Sequence, residues 1–333
     1  MNHPDKNNSC LVTGVLGGLG SSLAARLLND GFHVFGLDNF DPGSAPEIVH
    51  HYRLSLLQGY ENFKFFALDL RNQDMHDSLF QETTPQYIIH CAGVFPFRPL
   101  LPDSSFLYEN NLNLSETILN LTETYKIKKT IYLHHHYSKN SANANSHPLW
   151  EAILNAENTI QNEIDNHSLS NNIKIIKLHT LIGIGQSYRT FPFRQITQLI
   201  SRVPVSVSKP GNALTISMNS ATDTIVKQLS ISKMDKEDSQ SNNCEPISID
   251  TGAIIRKLIK IIGIEPLGFK REVIPWTLNS SEKSDSHLTD EIENEVKDLV
   301  DWALQLPWMP PVDWSDKRKR VRSKRNNRTN PPL

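Results

Sequence analysis

The sequence predicts an α/β fold, a doubly wound parallel sheet followed by a smaller C-terminal lobe. Three observations carry that prediction. Short, strongly apolar runs alternate with helix-like segments through the first half of the 333 residues. A glycine-rich turn joins the first of these runs to the first helix. Beyond about residue 180 the alternation loosens into a sparser pattern. The composition, 38% hydrophobic and 21% charged, is that of a soluble globular chain. No apolar run approaches the ~18 residues that a membrane span needs.

The strands come first in the argument. Residues 9–14 (SCLVTG), 32–38 (FHVFGLD), 63–69 (FKFFALD), 86–93 (QYIIHCAG), 129–134 (KTIYLH) and 173–179 (IKIIKLH) are apolar on both faces, as buried parallel strands are. Helix-like segments at 21–31, 75–82, 104–125 and 148–165 lie between them and supply right-handed crossovers. In the second half, 191–202 reads as a helix, 203–208 as a strand and 221–230 as a helix. Residues 234–243 (MDKEDSQSNN) read as a polar surface loop, and 245–263 as strand, turn and helix. A last helix spans about 290–304, where Ile292, Val296, Leu299 and Ala303 recur at helical spacing and mark a core-facing stripe. The predicted organisation is a polar extension over 1–8, a nucleotide-binding domain over 9–182, a smaller lobe over 183–308 and a basic tail over 309–333.

The chemistry begins at CLVTGVLGGLG, residues 10–20. Gly14, Gly17 and Gly20 follow the first strand and open the first helix. Glycine there permits a sharp turn and lets backbone approach a pyrophosphate, which then sits on the helix N-terminus. Asp38 ends the second strand, where a carboxylate can accept hydrogen bonds from both adenosine ribose hydroxyls. It would repel a 2′-phosphate, so the expected cofactor is NAD rather than NADP. These features define a Rossmann-type sheet.

The strings LVTGVLGGLG, GLDNFD (36–41), LDLRN (68–72), IIHCAG (88–93), YENNLN (108–113) and LVDWALQLPW (299–308) resemble the extended short-chain dehydrogenase/reductases. Within them the likeness is to the NAD-dependent nucleotide-sugar epimerase/dehydratase family, and most of all to UDP-glucuronate 4-epimerases. It covers about residues 9–308, densely in the first 130 and thinly afterwards. The resemblance implies that Gly14, Gly17, Gly20, Asp38, Asn39, Asp69, Leu70 and Ala92 line an NAD site. It implies that Asn111 supports the backbone beside that site. It also implies a substrate-binding C-terminal lobe, a UDP-sugar ligand and a homodimer paired through the helices at 104–125 and 148–165.

One part of the family pattern is missing. Its members carry Ser/Thr at the end of the fifth strand and Tyr-x-x-x-Lys on the next helix, the tyrosine taking a proton while the lysine lowers its pKa. Here His134, His135 and His136 stand at the serine positions, with Leu149 at the tyrosine and Ile153 at the lysine. The strings Tyr60/Lys64 and Tyr125/Lys129 precede the fifth strand and lie outside the expected helix. The family's Arg-Asp-Phe string is also altered: ISMNSATD (216–223) keeps Asp223 but has Ile216 at the arginine. Arg189 and Arg194 are the alternative phosphate contacts. Candidate substitutes for the lost base are His135 and Tyr137, since an imidazole titrates in a suitable range. No metal site is expected, because His134 and His136 have no evident third ligand.

Two readings follow. The chain is a UDP-glucuronate/UDP-glucose 4-epimerase-like isomerase with impaired or lost catalysis, or it is a non-catalytic NAD-binding sensor or scaffold, a pseudoenzyme. The net charge of −2 hides a basic tail, KRKRVRSKRNNR at 317–328, whose eight Lys and Arg leave 26 basic against 36 acidic residues elsewhere. That tail is either a solvated disordered terminus or a contact for an acidic partner. Cys10, Cys91 and Cys244 are few and widely spaced, which predicts reduced thiols in a cytoplasmic protein. The opening MNHPDKNNS has no apolar h-region of a signal peptide.

Overall fold

The computed structural model describes residues 8–93, 104–135, 155, 158–162, 165, 172–187, 189–207, 212–230, 246–271, 277–278 and 289–307. Six parallel strands form the main sheet in the order β3-β2-β1-β4-β5-β6. They are β1 (Ser9–Thr13), β2 (His33–Asp38), β3 (Phe63–Ala67), β4 (Tyr87–His90), β5 (Lys129–His135) and β6 (Ile173–Leu178). Each of the six predicted strands is present. Their order reverses between β1 and β4, which opens a crevice at the carboxyl ends of those two strands.

Alternation along each strand explains why the sheet needs helices on both faces. In β1, Cys10 and Val12 enter one core with Val34, Ile89 and Ile131, while Leu11 enters the other with Leu37, Phe80 and Ile88. The first core is covered by α1 (Gly18–Asn29) and the second by α3 (His76–Thr83) and α4 (Ser104–Thr124). Between β2 and β3 runs α2 (Glu47–Leu57), which the sequence pattern did not signal. Its buried face includes His50 and Arg53, while Ile48 and Leu56 are exposed. Polar residues inside and apolar ones outside blur the stripe on which recognition of a helix relies.

After β6 the chain passes almost directly into a second sheet through β7 (Thr180–Ile182), which pairs in parallel with β9 (Asn212–Ser217). β10 (Ile247–Asp250) and β12 (Thr277–Leu278) flank β9 in antiparallel register, and β8 (Val205–Val207) pairs with β11 (Phe269–Arg271). The lobe core lies among α5 (Phe193–Ile200), α7 (Thr251–Ile262) and α8 (Asp290–Gln305). α7 starts where the Asp250 carboxylate accepts the Gly252 amide at 2.8 Å and stops at Gly263 in the left-handed region (φ 67°). Ile292, Val296, Leu299 and Ala303 of α8 are all fully buried, as their spacing predicted.

One helix of the second half packs elsewhere. α6 (Met218–Ser230) begins three residues before the predicted helix and puts Ala221, Ile225, Val226 and Leu229 into the main-sheet core beside α1. Its Asp223 pairs with Arg26 of α1. Cys10 and Cys91 are free thiols, Cys10 buried and Cys91 partly so. Cys244, the loop at 234–243, the extension before residue 8 and the basic tail lie outside the described residues. Among the described residues no helix is long and apolar enough to cross a membrane.

Leu299 has no exposed surface and packs in the lobe core. Leu299→Ala should lower stability by about 2–5 kcal/mol, seen as a reduced urea midpoint.

Candidate cofactor site

The glycine turn lies where β1 meets α1. Gly14 takes φ +65°, and a Cβ there would come within 2.8 Å of the Ala92 backbone, so only glycine fits both the turn and the approach. The Gly17 amide donates to the Gly14 carbonyl at 2.9 Å, and Gly20 sits in the first turn of α1. That first turn has no side-chain cap and no acidic residue, which leaves its positive end suited to an anion.

Asp38 is 9% exposed at the end of β2. Its Oδ2 accepts the Leu16 amide at 2.9 Å and its Oδ1 accepts the Phe40 amide at 3.0 Å. Each oxygen keeps a second lone pair for a hydroxyl donor. Burial pushes its pKa up, and the two amides oppose that rise. The carboxylate therefore anchors the glycine loop.

Asn39 and Asp69 form the next layer. Asp69 Oδ1 accepts the backbone amide and Nε of Arg71, both at 2.9 Å, while Oδ2 accepts Arg71 NH2 and Asn39 Nδ2, the latter at 3.0 Å. These four bonds occupy the acceptor directions of the carboxylate. The Arg71 fork holds the Asp69 pKa well below the usual carboxylate range. Leu70 is 3% exposed and faces the core, and the Ala92 amide donates to Thr13 Oγ1 at 3.3 Å. The Asn111 carbonyl accepts Ser115 Oγ at 2.7 Å.

That last bond starts a buried polar column beneath the crevice. Ser115 Oγ lies 2.6 Å from Tyr132 Oη, the Tyr132 ring packs on His90 at 5.0 Å, and His90 Nδ1 lies 2.8 Å from Thr13 Oγ1. Burial lowers the His90 pKa to about 3, so the ring is neutral at physiological pH.

The predicted catalytic stretch is only partly described. His134 is 9% exposed in β5, and His135 ends that strand. The His135 side chain, together with His136, Tyr137, Leu149 and Ile153, lies outside the described residues. Of the alternative phosphate contacts, the Arg189 guanidinium donates to the Gly43 carbonyl, and Arg194 is exposed on α5. The two Tyr-x-x-x-Lys strings have other partners: Tyr60 Oη donates to Asn29, Lys64 pairs with Glu82, Tyr125 Oη donates to Asp77, and Lys129 Nζ donates to the Gln228 carbonyl at 2.7 Å. Among the described residues no group of three His, Cys, Asp or Glu side chains could hold a metal.

Sequence reading missed His50 and Arg53, both buried on α2 behind the glycine loop. It also missed the pairing of Gly18 with Gly185, where a Cβ on Gly18 would fall 2.4 Å from the Gly185 carbonyl oxygen. A strand, glycine turn and helix with a carboxylate at the second strand define a Rossmann-type dinucleotide site. Residues 10–146 match the NAD dependent epimerase/dehydratase family model.

A UDP-glucuronate 4-epimerase of Thermodesulfobacterium geofontis (strain OPF15) is 29% identical over 121 residues, 36% of this chain and 37% of that protein. A UDP-glucose 4-epimerase of Bacillus subtilis (strain 168) is 30% identical over 122 residues, 37% of this chain and 35% of that protein. The matches thus span little more than a third of these relatives. The structure of UDP-glucuronic acid 4-epimerase from Bacillus cereus, in complex with UDP-glucuronic acid and NAD, superposes with a TM-score of 0.71. It is 20% identical and covers 88% of this chain and 98% of its own. A dTDP-glucose 4,6-dehydratase from Bacillus anthracis str. Ames, in complex with NAD, gives a TM-score of 0.67 at 13% identity, covering 89% of this chain and 96% of its own. These likenesses establish the fold over about nine tenths of the chain.

His90 generates a pH prediction. An unfolded histidine protonates below about 6.5, whereas folded His90 resists protonation down to about 3. Acidification across that window loads protons onto the unfolded chain, so stability falls as pH falls. Between pH 7 and 4.5 the wild type should lose about 2–3 kcal/mol more than His90→Asn, measured by urea unfolding at both pH values.

Proposed function

We propose that this protein binds NAD and that its nucleotide-sugar epimerase chemistry is impaired or lost. The observation that carries this reading is a contrast. The glycine turn and buried Asp38 form a complete dinucleotide cradle, while the sequence has Leu149 and Ile153 where the resemblance expects tyrosine and lysine. In the proposed complex the first-turn amides of α1 hold the pyrophosphate and Asp38 orients the adenosine ribose. Bound NAD would supply a hydride acceptor. Nothing at Leu149 or Ile153 can take or hold the sugar hydroxyl proton, so a proton carrier must come from His135 or Tyr137 if turnover occurs.

A second reading, a non-catalytic NAD-responsive sensor or scaffold, draws on the same contrast. A cradle held by buried hydrogen bonds beside a lost acid–base pair is what binding without turnover requires. On either reading the relatives' UDP-sugar is the class of second ligand to test, against the lobe formed around β9. The proposed pairing of two copies through α4, the proposed contact of the basic tail with an acidic partner and the proposed cytoplasmic location rest on the sequence alone.

Two measurements test the proposal. In titration calorimetry NAD should bind at least tenfold more tightly than NADP, and Gly14→Ala should remove saturable binding. Purified protein incubated with NAD and UDP-glucuronate, UDP-glucose or UDP-xylose should give no 4-epimer on chromatography. An epimer product abolished by His135→Ala or Tyr137→Phe would establish a rerouted enzyme instead.

A further inference from the structure

We propose that Arg53 is a positioning residue whose guanidinium locks the glycine loop and the turn at 183–186 together, setting the dinucleotide site before ligand arrives. This deepens the reading that the glycine loop holds NAD. Arg53 lies on α2, outside every motif in the sequence, and is 6% exposed. Its NH1 donates to the Leu16 carbonyl and its NH2 to the Gly185 carbonyl, both at 2.8 Å. One planar fork thus spans two loops that are 169 positions apart in the chain.

The two contacts fall where position matters. The Leu16 amide is already held by Asp38 at 2.9 Å, so the two peptide groups flanking the Leu16 Cα are both gripped, one through its N–H by a carboxylate and the next through its C=O by a guanidinium. Leu16 sits midway between Gly14 and Gly18, on the path of the loop into α1. On the other side, Gly185 takes φ +87° and its carbonyl fills the space that a Gly18 side chain would need. Close contact between two backbones leaves little tolerance, and a fork bonded to both sides keeps them in register. The turn at 183–186 follows β7, whose pairing with β9 ties it to the second sheet. Arg53 is therefore a direct link between the candidate cofactor loop and the lobe.

Burying a guanidinium is costly without compensation, and among the described residues no carboxylate pairs with it directly. The nearby Asp38 supports its charge, while burial lowers its pKa to about 10. The group remains charged at neutral pH. A lysine has the charge but offers one nitrogen where the planar fork offers two.

The test uses the full chain with Arg53→Met and Arg53→Lys, hydrogen exchange read by mass spectrometry, and NAD titration calorimetry. In Arg53→Met the amides of 14–18 and 183–187 should exchange together at least tenfold faster, while β1 and β4 keep their protection. NAD should bind at least tenfold more weakly. Arg53→Lys should fall between the two, about threefold weaker in NAD binding with one loop still protected, and it carries the test if the methionine variant does not fold. Unchanged exchange at either loop overturns the proposal, as does faster exchange with NAD affinity intact. Protection lost equally in β1 and β4 also overturns it, marking Arg53 as a general packing residue. A wild type that binds no NAD would reject the functional reading, and the exchange comparison would still decide whether the clamp exists.

Discussion

Leu16 is held on both sides of its Cα, and the path of the glycine loop depends on it. Its N–H bonds Asp38 at the tip of β2, and its C=O bonds Arg53 on α2. Residues from the second strand and second helix thereby determine the shape of a loop between the first strand and first helix. The loop itself is rich in glycine and intrinsically permissive, so it gains definition only from what grips it. Buried hydrogen bonds to charged groups suit that task, being short, directional and costly to leave unmade.

The floor beneath the loop uses a different device. Thr13, His90, Tyr132 and Ser115 form a line of polar groups across β1, β4, β5 and α4, within a sheet packed mainly with apolar side chains. Burial keeps His90 neutral, so the column adds no charge beneath the crevice. The charges at the loop are then the positive end of α1, the Asp38 carboxylate at the rim and the buried Arg53 guanidinium.

Asp69 illustrates how a motif residue acquires a second duty. The resemblance places it against a cofactor, and in the fold it is enclosed by Arg71 and Asn39. Its charge is spent locally in fixing the loop after β3. Asp223 has a similar fate, joined to Arg26 to bind α6 to α1. Residues retained from a family string can thus hold the scaffold around a site.

The sequence by itself determined the sheet. Six apolar runs read as parallel strands, although the edge strand β3 has no buried residue, and the glycine turn between the first run and the first helix lies at the crevice. The α8 stripe was equally readable, because Ile292, Val296, Leu299 and Ala303 follow the helical period without interruption. What the tertiary structure decided was everything built from residues distant in the chain. α2 escaped notice because its inward face carries His50 and Arg53, whose burial is tolerated only next to partners such as Ser44, Leu16 and Gly185. The contact of Gly18 with Gly185 and the docking of α6 on the main sheet likewise depend on packing between segments well over a hundred residues apart. Periodicity reports how one segment meets its surroundings, and carries no information about which carbonyl a buried guanidinium will reach.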